Sequence, residues 1–167
     1  MKRCAIILML VLGAVTGCAS LGSLAAVQPP TLNVAAGRDA ELRLLPPSVR
    51  NPLGGATVRL WADVGNPNPF GVVLSSLAGS LTLEGARAAN VDFPWGLPLV
   101  AGQDTIVPID VSISFAELPA LGEVLPQAVS RGAVDYRLDG TMRLDAGLLG
   151  QPSFGPMNLL QGSIRTR

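Results

Sequence analysis

The 167-residue chain contains no histidine, and its two cysteines, Cys4 and Cys18, both lie near the N-terminus. Histidine is the commonest general base and metal ligand, and thiolates form disulfides and most structural zinc sites. The chain after residue 18 therefore excludes disulfides and sites built on histidine or thiolate ligands. We expect no catalytic residue, no metal and no cofactor, so the protein is not predicted to be an enzyme.

Charged residues are also scarce, at 14% of the chain against 49% hydrophobic residues. This composition favours a packed core over disorder. The single lysine is Lys2, and the arginines are scattered among acids. Binding to a phosphate backbone requires clustered basic residues, so nucleic acid is excluded as a partner.

The N-terminus has the layout of an export signal. Lys2 and Arg3 precede an apolar stretch over residues 5–15, which small residues follow. A helix rising about 1.5 Å per residue needs roughly 20 apolar residues to cross a bilayer, so this stretch is too short to span one. Residues 1–17 are therefore predicted to be a signal peptide that is removed.

The leader ends in Val15-Thr16-Gly17-Cys18, which resembles the lipobox of bacterial lipoproteins. The resemblance implies that Cys18 is acylated, becomes the new N-terminus and attaches the protein to a membrane. The alternative is ordinary cleavage after Ala19. Lipidation is favoured because a free cysteine at an exported N-terminus would be a reactive thiol. Since Ala19 replaces the aspartate of an inner-membrane retention signal, we expect the outer membrane, facing the periplasm.

The rest of the chain is the size of one domain. Residues 18–30 are small, uncharged and proline-terminated, which predicts a flexible tether. Residues 31–167 contain short apolar segments separated by glycine, proline and asparagine. Such spacing predicts an all-β sandwich rather than alternating strands and helices.

The clearest strand covers residues 133–144, where apolar and polar residues alternate. Asp139-Gly140 is also a strong two-residue hairpin signal. A hairpin would pair Tyr136 with Arg143, mixing apolar and polar side chains on one face. We therefore predict one continuous strand, with Gly140 at a bulge or a point of close packing.

Three further strands are predicted at residues 56–64, 72–84 and 105–113. Trp61 falls on the polar face of the first, so we expect it to cover a loop or to stay partly exposed. Pro108 cannot donate a hydrogen bond to a sheet, which predicts an edge or bulged strand for the third.

The helix candidate covers residues 115–130. Ser114 and Glu117 have capping-box spacing, and leucines recur behind them at helical intervals. Pro126 should kink or end the helix. We expect its apolar stripe to pack on the sandwich; the alternative of a membrane-surface helix lacks the usual basic face.

A family resemblance rests on the order of these elements. First, an alternating strand runs into Asn66-Pro67-Asn68. A strand ending in Leu83-Glu84-Gly85, a proline-bearing strand and a helix follow in that order. The last element contains Tyr136-Arg137-Leu138-Asp139-Gly140. This order resembles the water stress and hypersensitive response (WHy) domain of type 2 late embryogenesis abundant (LEA) proteins, over approximately residues 40–165. The resemblance implies a seven-stranded sandwich similar to immunoglobulin and fibronectin III domains, with one short helix before the penultimate strand.

Two groups of polar residues could carry chemistry, and both are interpreted as structural. Asn66, Pro67 and Asn68 form a family motif that is expected to make a rigid strand-to-loop corner, with ligand contact as the alternative. Asp135 and Asp139 lie about 13 Å apart on one strand, too far to share an ion. With the interleaved arginines they predict a solvated charge ladder.

The sequence therefore predicts a non-catalytic, membrane-anchored lipoprotein that protects membranes or proteins during desiccation or other water stress. Its expected partners are a membrane, reached through the lipid anchor, and protein clients. The alternative is a periplasmic adaptor or assembly module that binds one specific protein through loops or an edge strand.

Overall fold

The computed structural model describes residues 27–49, 51–116 and 118–165. Strands make up 58% of the structure and are arranged in two antiparallel sheets, with one α-helix and one short 3₁₀ turn in the described ranges. The predicted signal peptide and Cys18 lie outside the described residues. The strands are β1 Thr31–Val34, β2 Glu41–Leu45, β3 Gly55–Gly65, β4 Val72–Leu83, β5 Ala86–Phe93, β6 Leu97–Leu99, β7 Asp104–Ser114, β8 Ala133–Asp145 and β9 Ser153–Arg165; helix α1 is Pro119–Ser130 and the 3₁₀ turn is Gly147–Leu149.

The first sheet is built around β3. Strand β7 pairs with β3 along its whole length, from Gly55↔Ser114 to Gly65↔Asp104. Two short strands share the other edge of β3: β1 pairs with its last residues and β2 with its first residues. Residues 35–40 separate these two strands, so this edge is interrupted.

The second sheet has the order β5-β4-β8-β9, and β6 also pairs with β4. Strand β5 pairs with residues 77–83 of β4, and β6 pairs with residues 72–74 on the same side. This edge is therefore also divided between two strands. The two interruptions explain why the structure has nine strands in the described ranges, whereas the family resemblance implied seven.

A single apolar core lies between the sheets. Side chains alternate along each strand, so every second residue of the long strands faces inward. Each fully buried leucine contributes about 1.5–3 kcal/mol relative to an exposed one. The central contributors from both sheets are fully buried: Leu60, Leu74, Leu77, Leu81, Leu83, Ile109, Leu138, Met142 and Leu144.

Strand β8 confirms the continuous strand predicted for residues 133–144 and shows that the hairpin alternative is wrong. Its even positions are buried, as the period of two requires. Gly140 is opposite Gly79 of β4, and a Cβ atom on Gly140 would lie 2.4 Å from the carbonyl oxygen of Ala78. The pairing with β9 also shifts register at this point. Gly140 is therefore both at a bulge and at a point of close packing.

The other predicted strands are also present, with slightly different ends. Strand β7 carries Pro108, and among the strands of the described residues it pairs with β3 alone, which confirms an edge strand. Trp61 lies half-buried on the outer face of β3, where the guanidinium carbon of Arg38 is 4.5 Å from its ring centroid. Trp61 therefore covers the loop between β1 and β2, as its place on the polar face predicted.

Helix α1 lies before the penultimate strand, but it begins later than expected. It starts at Pro119, and its N-cap residue Leu118 makes no side-chain capping bond. The predicted start at residue 115 is wrong because strand β7 extends to Ser114 and a turn follows it. Proline is compatible with the first helical turn, where its missing N–H has no partner to lose. The helix continues past Pro126 to Ser130.

The buried face of α1 packs on the sandwich, as expected. Leu121, Leu125 and Ala128 are buried and belong to the common core. In the described ranges, no helix is both long and apolar enough to span a bilayer.

Candidate functional site

The most polar interior feature is the corner where β3 passes into β4. Asn66 and Asn68 are 2% and 1% exposed, and they are the buried polar side chains of the described residues. Proline fixes its own φ and keeps the preceding residue out of the helical region, so Asn66-Pro67-Asn68-Pro69 makes a rigid turn after β3. Buried amides require hydrogen-bond partners.

Asn66 joins three segments of backbone. Its Nδ2 donates to the carbonyl oxygens of Phe70 and Leu99, at 2.9 and 3.2 Å. Its backbone N–H donates to Gln103 at 3.1 Å, and its carbonyl accepts from Gly102 at 2.9 Å. Asn66 therefore ties the corner to the end of β6 and to the turn before β7.

Asn68 connects the corner to the N-terminal end of the domain. Its Oδ1 accepts from the backbone N–H of Gln28 at 2.8 Å, and its Nδ2 donates to the Gln28 carbonyl at 3.0 Å. Its Nδ2 and backbone N–H also donate to Oδ1 of Asn66, at 2.9 and 3.0 Å. Every side-chain polar atom of this pair has a protein partner, so the motif positions backbone and keeps no free group for a ligand.

A second feature lies at the same end of the sandwich. Strand β3 ends there at Gly65, β4 begins there, and β8 ends there at Asp145, which pairs with Val73. Three loops meet at this end, over residues 66–71, 100–103 and 146–152. Together with β6 and the start of β4, these loops line a shallow groove that includes Phe70, Pro98 and Gly147.

These loops expose large apolar side chains. Leu148 is fully exposed, and Val100 and Leu149 are 56% and 46% exposed. We call these three residues the apolar tip. The apolar tip was not predicted from the sequence, although a signal for it is present. Leu148 and Leu149 lie between Gly147 and Gly150, where a turn leaves side chains outside the core.

The predicted charge ladder lies on the outer face of β8. Nε of Arg137 donates to Asp139 at 2.7 Å, and Nδ2 of Asn158 donates to the same carboxylate at 3.3 Å. The hydrogen bond from Arg137 lowers the pKa of Asp139 below its ordinary value. Asp135 is not drawn into this pair; its backbone N–H donates to Glu84 instead. Within the described ranges, acidic side chains form no cluster that could hold a metal ion.

A second exposed ion pair joins the two long strands of the first sheet. Arg59 of β3 donates two hydrogen bonds to Asp110 of β7, at 2.6 and 3.0 Å. These hydrogen bonds lower the pKa of the Asp110 carboxyl. The pair sits beside Glu41 and Arg43 in a shallow polar groove. Its side chains are about half exposed, and such pairs do little more than favour the observed register.

Comparison with known proteins identifies the family of this chain, which the geometry of the site alone does not. The family model for late embryogenesis abundant protein matches residues 61–158, which is more than half of the chain. The chain belongs to the late embryogenesis abundant family. The region shared with this family includes Asn66, Asn68 and the apolar tip, whereas Gln28 precedes it.

Solved structures support the LEA assignment at the level of the fold. A solution structure from Arabidopsis thaliana has a TM-score of 0.59 at 17% identity, covering 84% of this chain and 83% of that one. A solution structure described as a late embryogenesis abundant (LEA) protein has a TM-score of 0.50 at 18% identity, covering 98% of this chain and 85% of that one. No curated protein matches this LEA chain by sequence.

Proposed function

We propose that this LEA protein is a bacterial lipoprotein, anchored through acylated Cys18, whose WHy-type domain protects membranes or proteins during desiccation. The family match over residues 61–158 is the observation that carries the stress-related part of the proposal. Protection of this kind needs no catalysis, and it operates through exposed apolar surface rather than through a substrate pocket.

The surface of the domain suits weak contact with many clients. Apolar side chains are exposed at both ends of the sandwich, including Val49, Leu53 and Leu148. The polar residues that the sequence singled out are occupied with one another at the Asn66–Asn68 corner and in the Arg137–Asp139 pair. A protective function uses the exposed apolar side chains, and it depends on the paired polar residues only for the stability of the fold.

The anchor is supported by the N-terminal sequence and by where the domain begins. Gln28 is fixed to Asn68, and only nine residues separate it from Cys18. Attachment through acyl chains becomes stable when more than one chain is buried, as a triacylated cysteine provides. Ala19 after the cysteine supports an outer-membrane location facing the periplasm.

Protection is tested with the purified full chain reconstituted into vesicles that carry a labile enzyme and an entrapped dye. After drying or freezing, we expect more enzyme activity and less dye leakage than with an equal mass of albumin. Performance equal to albumin in both readouts would argue against a protective function.

The anchor is tested separately, by comparing Cys18→Ser with Cys4→Ser. We expect Cys18→Ser to abolish incorporation of a labelled fatty acid and to prevent cleavage before residue 18. Cys4→Ser should change neither, because residue 4 is predicted to be removed with the signal peptide. Equal acylation of the wild-type protein and the Cys18→Ser variant would contradict this part of the proposal.

A specific adaptor is the second candidate, because β9 has 13 residues and pairs with β8 only in the described structure. An edge of this length can accept a strand from a partner. Cross-linking in cells separates the two functions: one stoichiometric partner indicates an adaptor, whereas a diffuse set of clients indicates protection.

A further inference from the structure

We propose that the apolar tip rests on the lipid surface to which the chain is anchored, so that the sandwich stands on the membrane with its N-terminal end down. This inference rests on the proposed anchor at Cys18. It adds a second, non-covalent membrane contact and fixes which end of the domain faces the bilayer.

The path of the chain selects this end. Gln28 is held by Asn68, beside the loops that carry the apolar tip. Cys18 lies ten positions earlier, and ten extended residues reach at most about 36 Å. Strand β3 has 11 residues and spans about 36 Å, so the opposite end of the sandwich lies one strand length from Gln28. The opposite end could therefore meet the membrane only if the whole reach of these ten residues were used, whereas the apolar tip meets it at any shorter separation.

The chemistry of this end suits a lipid surface because it carries few charges and no basic side chain. Residues 27–30, 66–71, 97–104 and 145–152 contain two charged side chains, Asp104 and Asp145. The two carboxylate oxygens of Asp145 accept hydrogen bonds from the N–H of Gly147 and from Nε2 of Gln151, at 2.9 and 3.2 Å. The carboxylate is thus used to form the turn that presents Leu148 and Leu149.

The absence of lysine and arginine from these four segments decides the kind of membrane contact. Basic residues attract anionic headgroups, and that attraction weakens in salt. The apolar tip has no such residues, so its contact depends on burial of leucine and valine side chains in the interface. The contact should therefore form on neutral phosphatidylcholine and persist at high salt.

A pair of single-cysteine variants tests the orientation. Leu148 and Val49 are both fully exposed but lie at opposite ends of the sandwich, so Leu148→Cys and Val49→Cys are matched and should both fold. Each full-length protein is expressed and reconstituted into phosphatidylcholine vesicles. An environment-sensitive dye is attached, and spin-labelled lipids serve as quenchers.

We expect several-fold stronger quenching and a blue-shifted emission for the dye at position 148, at low and high salt alike. Leu149→Asp should reduce the signal at position 148 to that at position 49, whereas Leu53→Asp at the opposite end should leave it unchanged. Equal quenching at the two positions in protein that floats with the vesicles would overturn the orientation.

The same labelled protein also tests the anchor independently. The dye reacts with free cysteines, so a mass spectrum that shows one dye per protein indicates that Cys18 is blocked and that Cys4 is absent. Additional dyes would contradict the anchor, while the ratio of quenching at the two positions still decides the orientation. A protein that does not float with vesicles would overturn both.

Discussion

Asn68 holds the backbone of Gln28 from both sides, accepting from its N–H at 2.8 Å and donating to its carbonyl at 3.0 Å. The Asn68 side chain therefore satisfies both backbone groups of a residue 40 positions away, as a paired strand would. Because Asn68 is also bonded to Asn66, the N-terminal segment and the β3–β4 corner form one unit. Strain on a tether before Gln28 would be passed to the β3–β4 corner.

Asn68→Ala should release Gln28 and lower the free energy of unfolding by about 1–3 kcal/mol, the usual cost of leaving buried polar partners unsatisfied. Hydrogen exchange should accelerate at the N–H of Gln28, and chemical denaturation should give the loss of stability. Asn158→Ala is the matched control because Asn158 is exposed, and its change should stay within about 0.5 kcal/mol. A loss for Asn68→Ala as small as the one expected for Asn158→Ala would show that the corner does not stabilise the fold.

Gly140→Ala should be strongly destabilising because its Cβ would lie 2.4 Å from the backbone oxygen of Ala78 in β4. Backbone atoms of a paired strand cannot move aside without breaking the ladder, so we expect a loss of about 1–3 kcal/mol or more. At Gly71 the nearest atom to an added Cβ is 3.6 Å away. Gly71→Ala should therefore be nearly neutral, and thermal unfolding of the two variants checks the contrast.

The long inner strands could be predicted from the sequence because their two faces differ. Burial of one face selects apolar residues at every second position, as in β3 and β8. Strand pairing also decided between the continuous strand and the hairpin at Asp139-Gly140, because the hairpin would have mixed the faces. Periodicity was informative wherever one face of a strand enters the core.

The edge strands could not be predicted in the same way. Strands β1 and β2 have four and five residues, and all of their side chains are exposed or half-buried. Their position depends on pairing with β3, which is distant in sequence. The strand count of seven, which came from family resemblance, was wrong because two edges are each divided by a loop.

At the N-terminal end of the sandwich, the polar corner could be predicted from the sequence in part, and the apolar tip was not predicted. Asn66 and Asn68 were identified from their prolines and their place after a strand, but the bond from Asn68 to Gln28 is purely tertiary. The apolar tip combines Val100 with Leu148 and Leu149, which only the fold brings to one end. The start of α1 was misplaced because Ser114, the expected capping residue, is the last residue of β7, and the helix begins only at Pro119.

Leu125→Ala tests whether α1 packs on the sandwich. Leu125 is completely buried and Val124, its neighbour, is 38% exposed. Removing the leucine side chain should leave a cavity and cost about 2–5 kcal/mol, whereas Val124→Ala should cost little because alanine is the better helix former. Urea denaturation of both variants gives the comparison. Equal stability would favour the alternative in which the helix leaves the sandwich and lies on a membrane.

The alkaline stability of the protein should depend on one residue, Tyr136, which is the only tyrosine of the chain. Tyr136 is 5% exposed, and burial raises the pKa of its phenol above the ordinary value. Between the unfolded pKa of about 10 and the higher folded pKa, the folded state binds more protons than the unfolded state. The contribution of Tyr136 to stability should therefore be constant below about pH 10 and fall as the pH rises further.

Few other groups interfere with this titration, since the single lysine lies at position 2 and the two cysteines at positions 4 and 18. Between the unfolded and the folded pKa the loss should approach, and not exceed, about 1.4 kcal/mol per pH unit, and tyrosinate absorbance should appear at higher pH in the folded than in the unfolded protein. Tyr136→Phe removes the ionisable group, so its unfolding free energy should change much less over the same range. Parallel losses in the wild-type protein and this variant would show that ionisation of Tyr136 is not what limits alkaline stability.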